Sequence, residues 1–328
     1  MTLVDRFGRT HRSLRISVTD RCNIRCSYCM PIHNVTFLPR KDVLSFEEIE
    51  SLADVAIELG ITKVRITGGE PLVRKNLPWL IQRLSSKGLK DLALTTNGIL
   101  LAEHAQELYD AGLMRLNVSL DSLSPSTFEQ IARRPGLDRV LAGIEAAQSV
   151  GFKGIRINAV PIRDVNDVEI GELARFCREH HLHLRFIEFM PLDAENKWNG
   201  EQVVRGQEII ERISKEVGAL RPVERLNVSQ PAVDYEYIEG GQQVGFINTV
   251  SQPFCSGCDR LRLTAEGQLR NCLFGTQSWN VRDALRAGQS VSEIKKMFVE
   301  CVQEKKFGHG IDAPEFQRPD KTMHQIGG

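Results

Sequence analysis

Cys22, Cys26 and Cys29, in the run Cys-Asn-Ile-Arg-Cys-Ser-Tyr-Cys, place three thiols within eight residues. A [4Fe–4S] cube needs a ligand at each of its four iron corners, and this run supplies three. The fourth iron would stay open to a small molecule, which makes a cluster a catalyst as well as an electron carrier. A structural zinc site would instead close with a fourth Cys or His, and the nearest candidate is His33, four residues on. A second set lies far downstream, where Cys255, Cys258 and Cys272 are spaced Cys-x2-Cys-x13-Cys. Cys272 falls on the return strand of an expected hairpin, which brings it back toward the other two. Zinc completed by another residue is the alternative, but Asp259 and the distant histidines make no convincing fourth ligand. A second cluster, with an open iron facing the substrate, is the reading preferred.

Other residues suit ligands for these centres. Thr67-Gly68-Gly69-Glu70-Pro71 follows the apolar run 64–67. Its two glycines allow close backbone approach, and its carboxylate can accept hydrogen bonds from an ammonium. Arg260 and Arg262 alternate along a strand and should project to one face, as a phosphate fork requires. There is no Gly-x4-Gly-Lys-Ser/Thr loop, so nucleotide binding would fall to arginines.

The elements that must position these groups alternate in type. Strands are expected over 14–19, 63–67, 92–96, 115–120, 155–160 and 184–188. Helices are expected over 77–87, 102–111, 140–150 and 168–180, with another opened by the capping box Ser45-Phe46-Glu47-Glu48. Six β–α units imply an α/β fold, a partial (β/α)6 barrel with a parallel sheet and right-handed crossovers. The strands alternate where doubly buried parallel strands usually read as continuous apolar runs. Leu14, Ile16, Val64, Ile66, Leu116, Val118, Ile155 and Ile157 share the apolar parity, which should meet the helices. Arg15, Arg65, Thr95, Arg115, Arg156 and Arg185 share the other, nearly free of Asp and Glu. So many guanidiniums cannot sit in a dry core, and an anion-binding barrel interior follows.

The barrel should occupy residues 1–190, and residues 191–328 an α+β extension carrying the second cluster. The extension reads as a loop over 190–206, a helix near 207–217, hairpin-like runs over 235–250 and 261–274, and a helix over 291–306. In the 328-residue chain, hydrophobic and charged fractions of 41% and 26% are those of an ordinary globular protein. Lys plus Arg equals Asp plus Glu at 42 each, so no global basic field points to nucleic acid. No apolar run approaches membrane-spanning length. Eight cysteines with no secretory leader suggest metal or redox chemistry in the cytoplasm.

The Cys-x3-Cys-x2-Cys run with its aromatic residue resembles the signature of radical S-adenosylmethionine (SAM) enzymes. Six further motifs narrow the resemblance. They are Arg15-Ile-Ser-Val-Thr-Asp-Arg-Cys22, Val64-Arg-Ile-Thr-Gly-Gly-Glu-Pro71, Thr95-Thr-Asn-Gly98, Asn117-Val-Ser-Leu-Asp121, Arg185-Phe-Ile-Glu-Phe-Met190 and Phe254-Cys-Ser-Gly-Cys258. With the terminal Ile326-Gly327-Gly328 they make the chain resemble the GTP 3′,8-cyclases of molybdenum-cofactor biosynthesis. The resemblance implies two [4Fe–4S] clusters on the two cysteine triads, and SAM near Tyr28, Gly69, Ser119 and Met190. It implies GTP contacts from Arg15, Arg65, Thr95, Arg156, Arg185, Arg260 and Arg262. At Arg156 this chain departs from the family's usual Lys, keeping the charge but changing the geometry. Gly327 and Gly328 would reach into the active site.

The implied reaction begins when one electron splits SAM to a 5′-deoxyadenosyl radical. Abstraction of the ribose C3′ hydrogen and attack on guanine C8 give 3′,8-cyclo-7,8-dihydro-GTP. The implied partners are a flavodoxin- or ferredoxin-type electron donor, cyclic pyranopterin monophosphate synthase downstream, and a second copy in a homodimer. Two other functions fit parts of the pattern: a zinc-stabilised nucleotide-binding protein, and a radical SAM peptide maturase. The second usually carries more C-terminal cysteines than this chain has. Cys177 and Cys301 lie on apolar helix faces and read as buried thiols. The His180-His181-Leu-His183 run reads as a helix end.

Overall fold

The alternation in the first half of the chain becomes six β–α units. A computed structural model describes residues 2–311, 313–314 and 316–327; Gly328 lies outside them. The units run β1 (Ser13–Ser17), α1 (Phe46–Glu58), β2 (Lys63–Thr67), α2 (Leu77–Ser85), β3 (Asp91–Thr96) and α3 (Leu101–Asp110). They continue through β4 (Arg115–Ser119), α4 (Pro125–Ala132), α5 (Leu137–Ser149), β5 (Arg156–Ala159), α6 (Ile170–Glu179) and β6 (His183–Ile187). Each strand from β1 to β6 pairs in parallel with the next. The expected capping box opens α1: the Ser45 hydroxyl accepts from Glu48 N at 3.1 Å, and Ser45 N donates to the Glu48 carboxylate at 2.7 Å.

The C-terminal region is built around both edges of that sheet. It contains α7 (Gly206–Glu216), β7 (Leu220–Pro222), β8 (Val233–Tyr237), β9 (Gln243–Ile247), β10 (Arg260–Leu263), β11 (Gln268–Arg270) and β12 (Trp279–Asn280). Helices α8 (Val281–Arg286), α9 (Val291–Gln303) and α10 (Met323–Ile326) follow. β10 pairs in parallel with β1 at one edge, and β9 in parallel with β6 at the other. The sheet order is β12-β11-β10-β1-β2-β3-β4-β5-β6-β9-β8-β7. One sheet therefore runs through the expected 190/191 division, and the barrel's open edges are covered by later strands.

The two parities separate as the alternation requires. Leu14, Ile16, Val64, Ile66, Leu116, Val118 and Ile157 are buried with Ile49, Leu52, Leu80 and Leu108 of the surrounding helices. On the other parity, Arg15 is the registered neighbour of Arg65 on one side and of Arg262 on the other. One guanidinium has an internal partner that the expected strand 92–96 left out. β3 starts one residue earlier, at Asp91, which pairs with Arg115. The short elements α4, α8, α10, β7 and β12 have no counterpart among the expected ones. α5 begins at Leu137 and α9 ends at Gln303, three residues from the expected limits of 140 and 306. Cys177 and Cys301 are buried as expected. Among the described residues no helix is long and apolar enough to cross a membrane.

Candidate active site

The first triad sits at the C-terminal ends of the barrel strands, where (β/α) barrels place their chemistry. Cys22 follows β1, and the chain then makes one helical turn, with Cys29 N and Met30 N both donating to the Cys26 carbonyl at 2.9 and 3.0 Å. That turn points Cys26 and Cys29 the same way. The loop is pinned by α4: Arg25 N donates to Ala132 O and Ser27 N to Ile131 O, both at 2.9 Å. It is also held by its own Arg25, whose guanidinium donates to the carbonyls of Cys22 at 2.6 Å and Ile24 at 2.8 Å. All three thiols are free. Burial and the Glu70 charge push Cys22 up to about 11, while burial, Asp121 and the neighbouring thiols push Cys26 well above its ordinary value.

Around this loop stand two carboxyls, one buried and one half-buried. Glu70 is fully buried and accepts hydrogen bonds from Leu72 N (3.0 Å), the Thr96 hydroxyl (2.8 Å) and Asn97 N (2.7 Å). Three of its acceptor positions are thus spent on tying the loop after β2 to the loop after β3, so the first task of this carboxylate is internal. Its burial raises its pKa to about 7 despite those bonds. Asp121 accepts from the Tyr28 hydroxyl at 2.6 Å and from Val160 N at 2.8 Å, and burial raises it to about 6. Gly69 is obligatory for steric reasons, because a Cβ there would overlap the backbone of Asp20 and Arg21.

The second triad has a different setting. Cys255 to Gly257 form a single turn closed by Cys258 N donating to Cys255 O at 3.1 Å. Cys272 was expected on the return strand of the hairpin, but β11, the partner of β10, ends at Arg270 and Cys272 lies two residues beyond it. The Arg260 guanidinium approaches Cys258 Sγ at 3.6 Å and lies 4.6 Å over the Phe254 ring. Burial alone would raise Cys258, but the charges of Arg260 and Lys305 outweigh it and bring the thiol down to about 6.

One cavity is lined by all six of these cysteines, and by Arg15, Thr95, Arg260 and Arg262. Two guanidiniums of this strand face are poorly neutralised, Arg15 in the cavity lining and Arg65 beside it. Arg15 and Arg65 form no side-chain hydrogen bond or ion pair among the described residues, and burial with neighbouring guanidiniums lowers both, Arg65 to about 9. The Thr95 hydroxyl and Arg260 Nε are buried without a partner. Such orphaned groups await a ligand, since an unpaired buried polar atom costs about 1–3 kcal/mol. The donor set also fits cubes better than single ions. Among the described residues no three His, Cys, Asp or Glu side chains converge on one metal position, whereas each cysteine of a [4Fe–4S] site binds its own iron.

Comparison with known proteins agrees with this geometry. Residues 16–177 match the model of the radical SAM superfamily, and residues 182–311 match that of Molybdenum Cofactor Synthesis C. The chain is 50% identical to the GTP 3′,8-cyclase of Rhodopirellula baltica, over 100% of this chain and 92% of that one. It is 43% identical to the GTP 3′,8-cyclase of Geobacter sulfurreducens, over 100% of both chains. The chain belongs to the GTP 3′,8-cyclase family.

As a GTP 3′,8-cyclase it is a radical SAM enzyme of molybdenum-cofactor biosynthesis, with an iron–sulfur cluster and SAM as cofactors. Its fold is shared more widely: SuiB of Streptococcus suis bound to its precursor peptide SuiA superposes with a TM-score of 0.65 at 15% identity, over 94% of this chain and 68% of that one.

The expected site residues divide into two groups. Tyr28, Gly69, Ser119 and Met190 line the cavity with the cysteines, as do Arg15, Thr95, Arg260 and Arg262. Arg65, Arg156 and Arg185 do not; they lie on the same sheet parity, deeper or farther along. The Gly327 carbonyl accepts a hydrogen bond from Arg262, so the tail does reach the arginine strand. Glu70, whose carboxylate the Gly-Gly-Glu-Pro turn offered for an ammonium, also lines the cavity; Asp121, Met323 and His324 line it too, and the sequence reading gave them no site role. A carboxylate just past the end of a barrel strand was signal enough for Asp121. His324 carried none; only the fold brings its ring to 3.5 Å from the Cys29 carbonyl.

Proposed function

We propose that this protein closes GTP to 3′,8-cyclo-7,8-dihydro-GTP, with SAM at the first triad and GTP between the two triads. The observation that carries the reading is a single cavity lined by two separate three-thiol sets, by the Arg15 guanidinium, which has no carboxylate partner among the described residues, and by Arg260 and Arg262. A cluster on Cys22, Cys26 and Cys29, with SAM, supplies a 5′-deoxyadenosyl radical able to take the C3′ hydrogen of the ribose. Tyr28, Gly69, Ser119 and Met190 would wall the SAM position, with Glu70 and Asp121 holding the surrounding loops. Cys255, Cys258 and Cys272 would hold a second [4Fe–4S] cluster whose open iron takes the guanine edge.

The arginines divide by place. Arg15, Arg260 and Arg262, with Thr95, would contact the triphosphate and ribose directly. Arg65, Arg156 and Arg185 would contribute through the field of the barrel interior, or reach GTP once it draws them inward. Fixing C3′ near the radical and C8 near C3′ is the protein's main catalytic contribution, because orientation alone can be worth about 7–11 kcal/mol. We assign residues 1–190 to radical generation and residues 191–328, Gly327 and Gly328 included, to substrate binding. The same reading extends to a flavodoxin- or ferredoxin-type donor, cyclic pyranopterin monophosphate synthase as consumer of the product, a homodimer, and a reducing cytoplasm that keeps the cysteines free.

Anaerobic reconstitution followed by incubation with SAM, GTP and a reductant tests the proposal. The expected result is about eight irons per chain, 5′-deoxyadenosine, and a cyclised nucleotide. Zinc in the second triad, or GTP recovered unchanged beside 5′-deoxyadenosine, would overturn it.

A further inference from the structure

Beside the second triad lies a buried polar network that the reaction as described does not use. Lys305 is only 3% exposed. Its ammonium donates to the Arg260 carbonyl at 2.8 Å and to the Asn271 carbonyl at 2.7 Å. Asn271 directly precedes Cys272, and Arg260 is two residues past Cys258. Asn271 is itself held, its amide donating to the Cys301 carbonyl of α9 at 2.8 Å. The third cysteine is fixed as well. Arg9 donates to the Cys255 carbonyl at 2.7 Å, and to the carbonyls of Lys306 at 2.9 Å and Phe307 at 3.0 Å. Asp5 receives Arg9 Nε at 2.6 Å, and His11 Nε2 lies 3.1 Å from the same oxygen.

All three cysteines are thus anchored through their local backbone by two cations distant in sequence. A fully buried ammonium is unusual, and here its hydrogen bonds go to carbonyls while no carboxylate forms an ion pair with it among the described residues. Its charge is therefore available to whatever the triad holds. A cluster ligated by thiolates is anionic and gains a further negative charge on reduction. A fixed positive charge favours that reduced state, more strongly in a low-dielectric surrounding than in water.

We propose that Lys305, braced by the Arg9 clamp, is a positioning residue of the second site: it fixes the backbone at two of the three cysteines and sets the reduction potential of the cluster they hold. The proposal rests on the second-cluster reading above.

The test uses reconstituted full-length protein and an EPR-monitored redox titration, with the first cluster as internal reference. In Lys305→Met and Lys305→Gln the second cluster should become harder to reduce, by at least about tenfold in its reduction equilibrium, which is about 59 mV for one electron. The first cluster should not move, and Lys305→Arg should restore the wild-type value. Loss of about four irons from both neutral variants but not from Lys305→Arg, with the circular dichroism spectrum retained, would support the same role. Unchanged potentials in both neutral variants at full iron content would overturn the proposal and leave the second cluster standing. So would loss of that cluster from Lys305→Arg as well, because shape and not charge would then be at stake. About four irons in the wild-type protein would instead remove the second cluster, and the proposal with it.

Discussion

The two cysteine triads face one cavity from opposite electrostatic surroundings. Near Cys22, Cys26 and Cys29 stand two carboxyls, Glu70 and Asp121, whose pKa values burial has raised to about 7 and about 6. Near Cys255, Cys258 and Cys272 cations outnumber the one buried carboxylate, Asp259: Arg260, Arg262, Lys305 and, through the Cys255 carbonyl, Arg9. Burial is common to both sites and pushes thiols up in each. The difference lies in the neighbouring charges: Glu70 adds to burial at Cys22, whereas Arg260 and Lys305 overwhelm it at Cys258. An acid-lined site suits a ligand carrying a sulfonium and an ammonium, as SAM does. A cation-lined site suits a polyphosphate. Two three-thiol sets of different spacing thus sit among neighbours of opposite charge, as two ligands of opposite charge would require.

The largest test of this division removes one triad at a time. Cys26→Ser should abolish both 5′-deoxyadenosine and the cyclised nucleotide. Cys272→Ser should keep part of the reductive SAM cleavage yet lose the cyclised product by about a hundredfold or more, since small displacements of reacting atoms cost that much. Cyclisation at the wild-type rate in Cys272→Ser would make the second triad structural and erase the contrast.

Charge removal at the second site should come next in size. Arg260→Ala and Arg262→Ala should each weaken GTP binding about ten- to hundredfold, the worth of a charge-assisted contact of about 1.5–3 kcal/mol, while SAM affinity is unchanged. Equilibrium binding of each ligand, measured separately, checks both halves. Arg262→Ala should also free the Gly327 carbonyl, so its turnover should fall further than its GTP affinity does. Equal falls would detach the tail from the reaction.

The smallest effects concern stability in the metal-free protein, and the two sites should respond to pH with opposite sign. Burial and the Lys305 charge depress His11 from 6.5 to about 4, so the unfolded chain binds a proton in that window that the folded chain refuses. Stability is therefore lost as pH falls from 6.5 toward 4, by about 2 kcal/mol between pH 6.5 and 5 at about 1.4 kcal/mol per pH unit. Glu70 behaves inversely. Its folded pKa of about 7 stands above the ordinary 4.5, so stability is lost as pH rises from 4.5 toward 7. Denaturant unfolding at several pH values should show His11→Asn flattening the acid limb and Glu70→Gln flattening the neutral limb. Identical pH profiles for both variants and wild type would rule out these two groups as the source.

Much of this was legible in residue types and spacing. The triads, the Gly-Gly-Glu-Pro turn and the alternating strands are local patterns, because a strand's period fixes which side chains share a face whatever lies beyond it. The parity that holds Arg15, Arg65 and Arg185 could be read for the same reason. The start of β3 could not, and with it went the Asp91–Arg115 pair, since one residue at a strand end carries no periodic signal. The helix α4, which pins the cluster loop, has only eight residues, too few for a clear apolar stripe, although Ser124 and Pro125 were a fair cap signal.

What the sequence by itself determined was the chemistry: two sets of three thiols, an arginine-rich strand face, a barrel to carry them, and through these the family. What only the tertiary structure decided was which distant groups meet them. β9 and β10 close opposite edges of one sheet, and that alone brings the second triad over the first. Lys305 stands in Glu304-Lys305-Lys306, a run that reads like any solvated charge cluster, yet it is buried against two carbonyls while both neighbours are turned outward or bound elsewhere. Periodicity reports on neighbours along the chain. The partners of a residue beyond the end of its helix are set by packing between elements hundreds of positions apart, as Arg9 on Cys255 shows, and no local pattern records that.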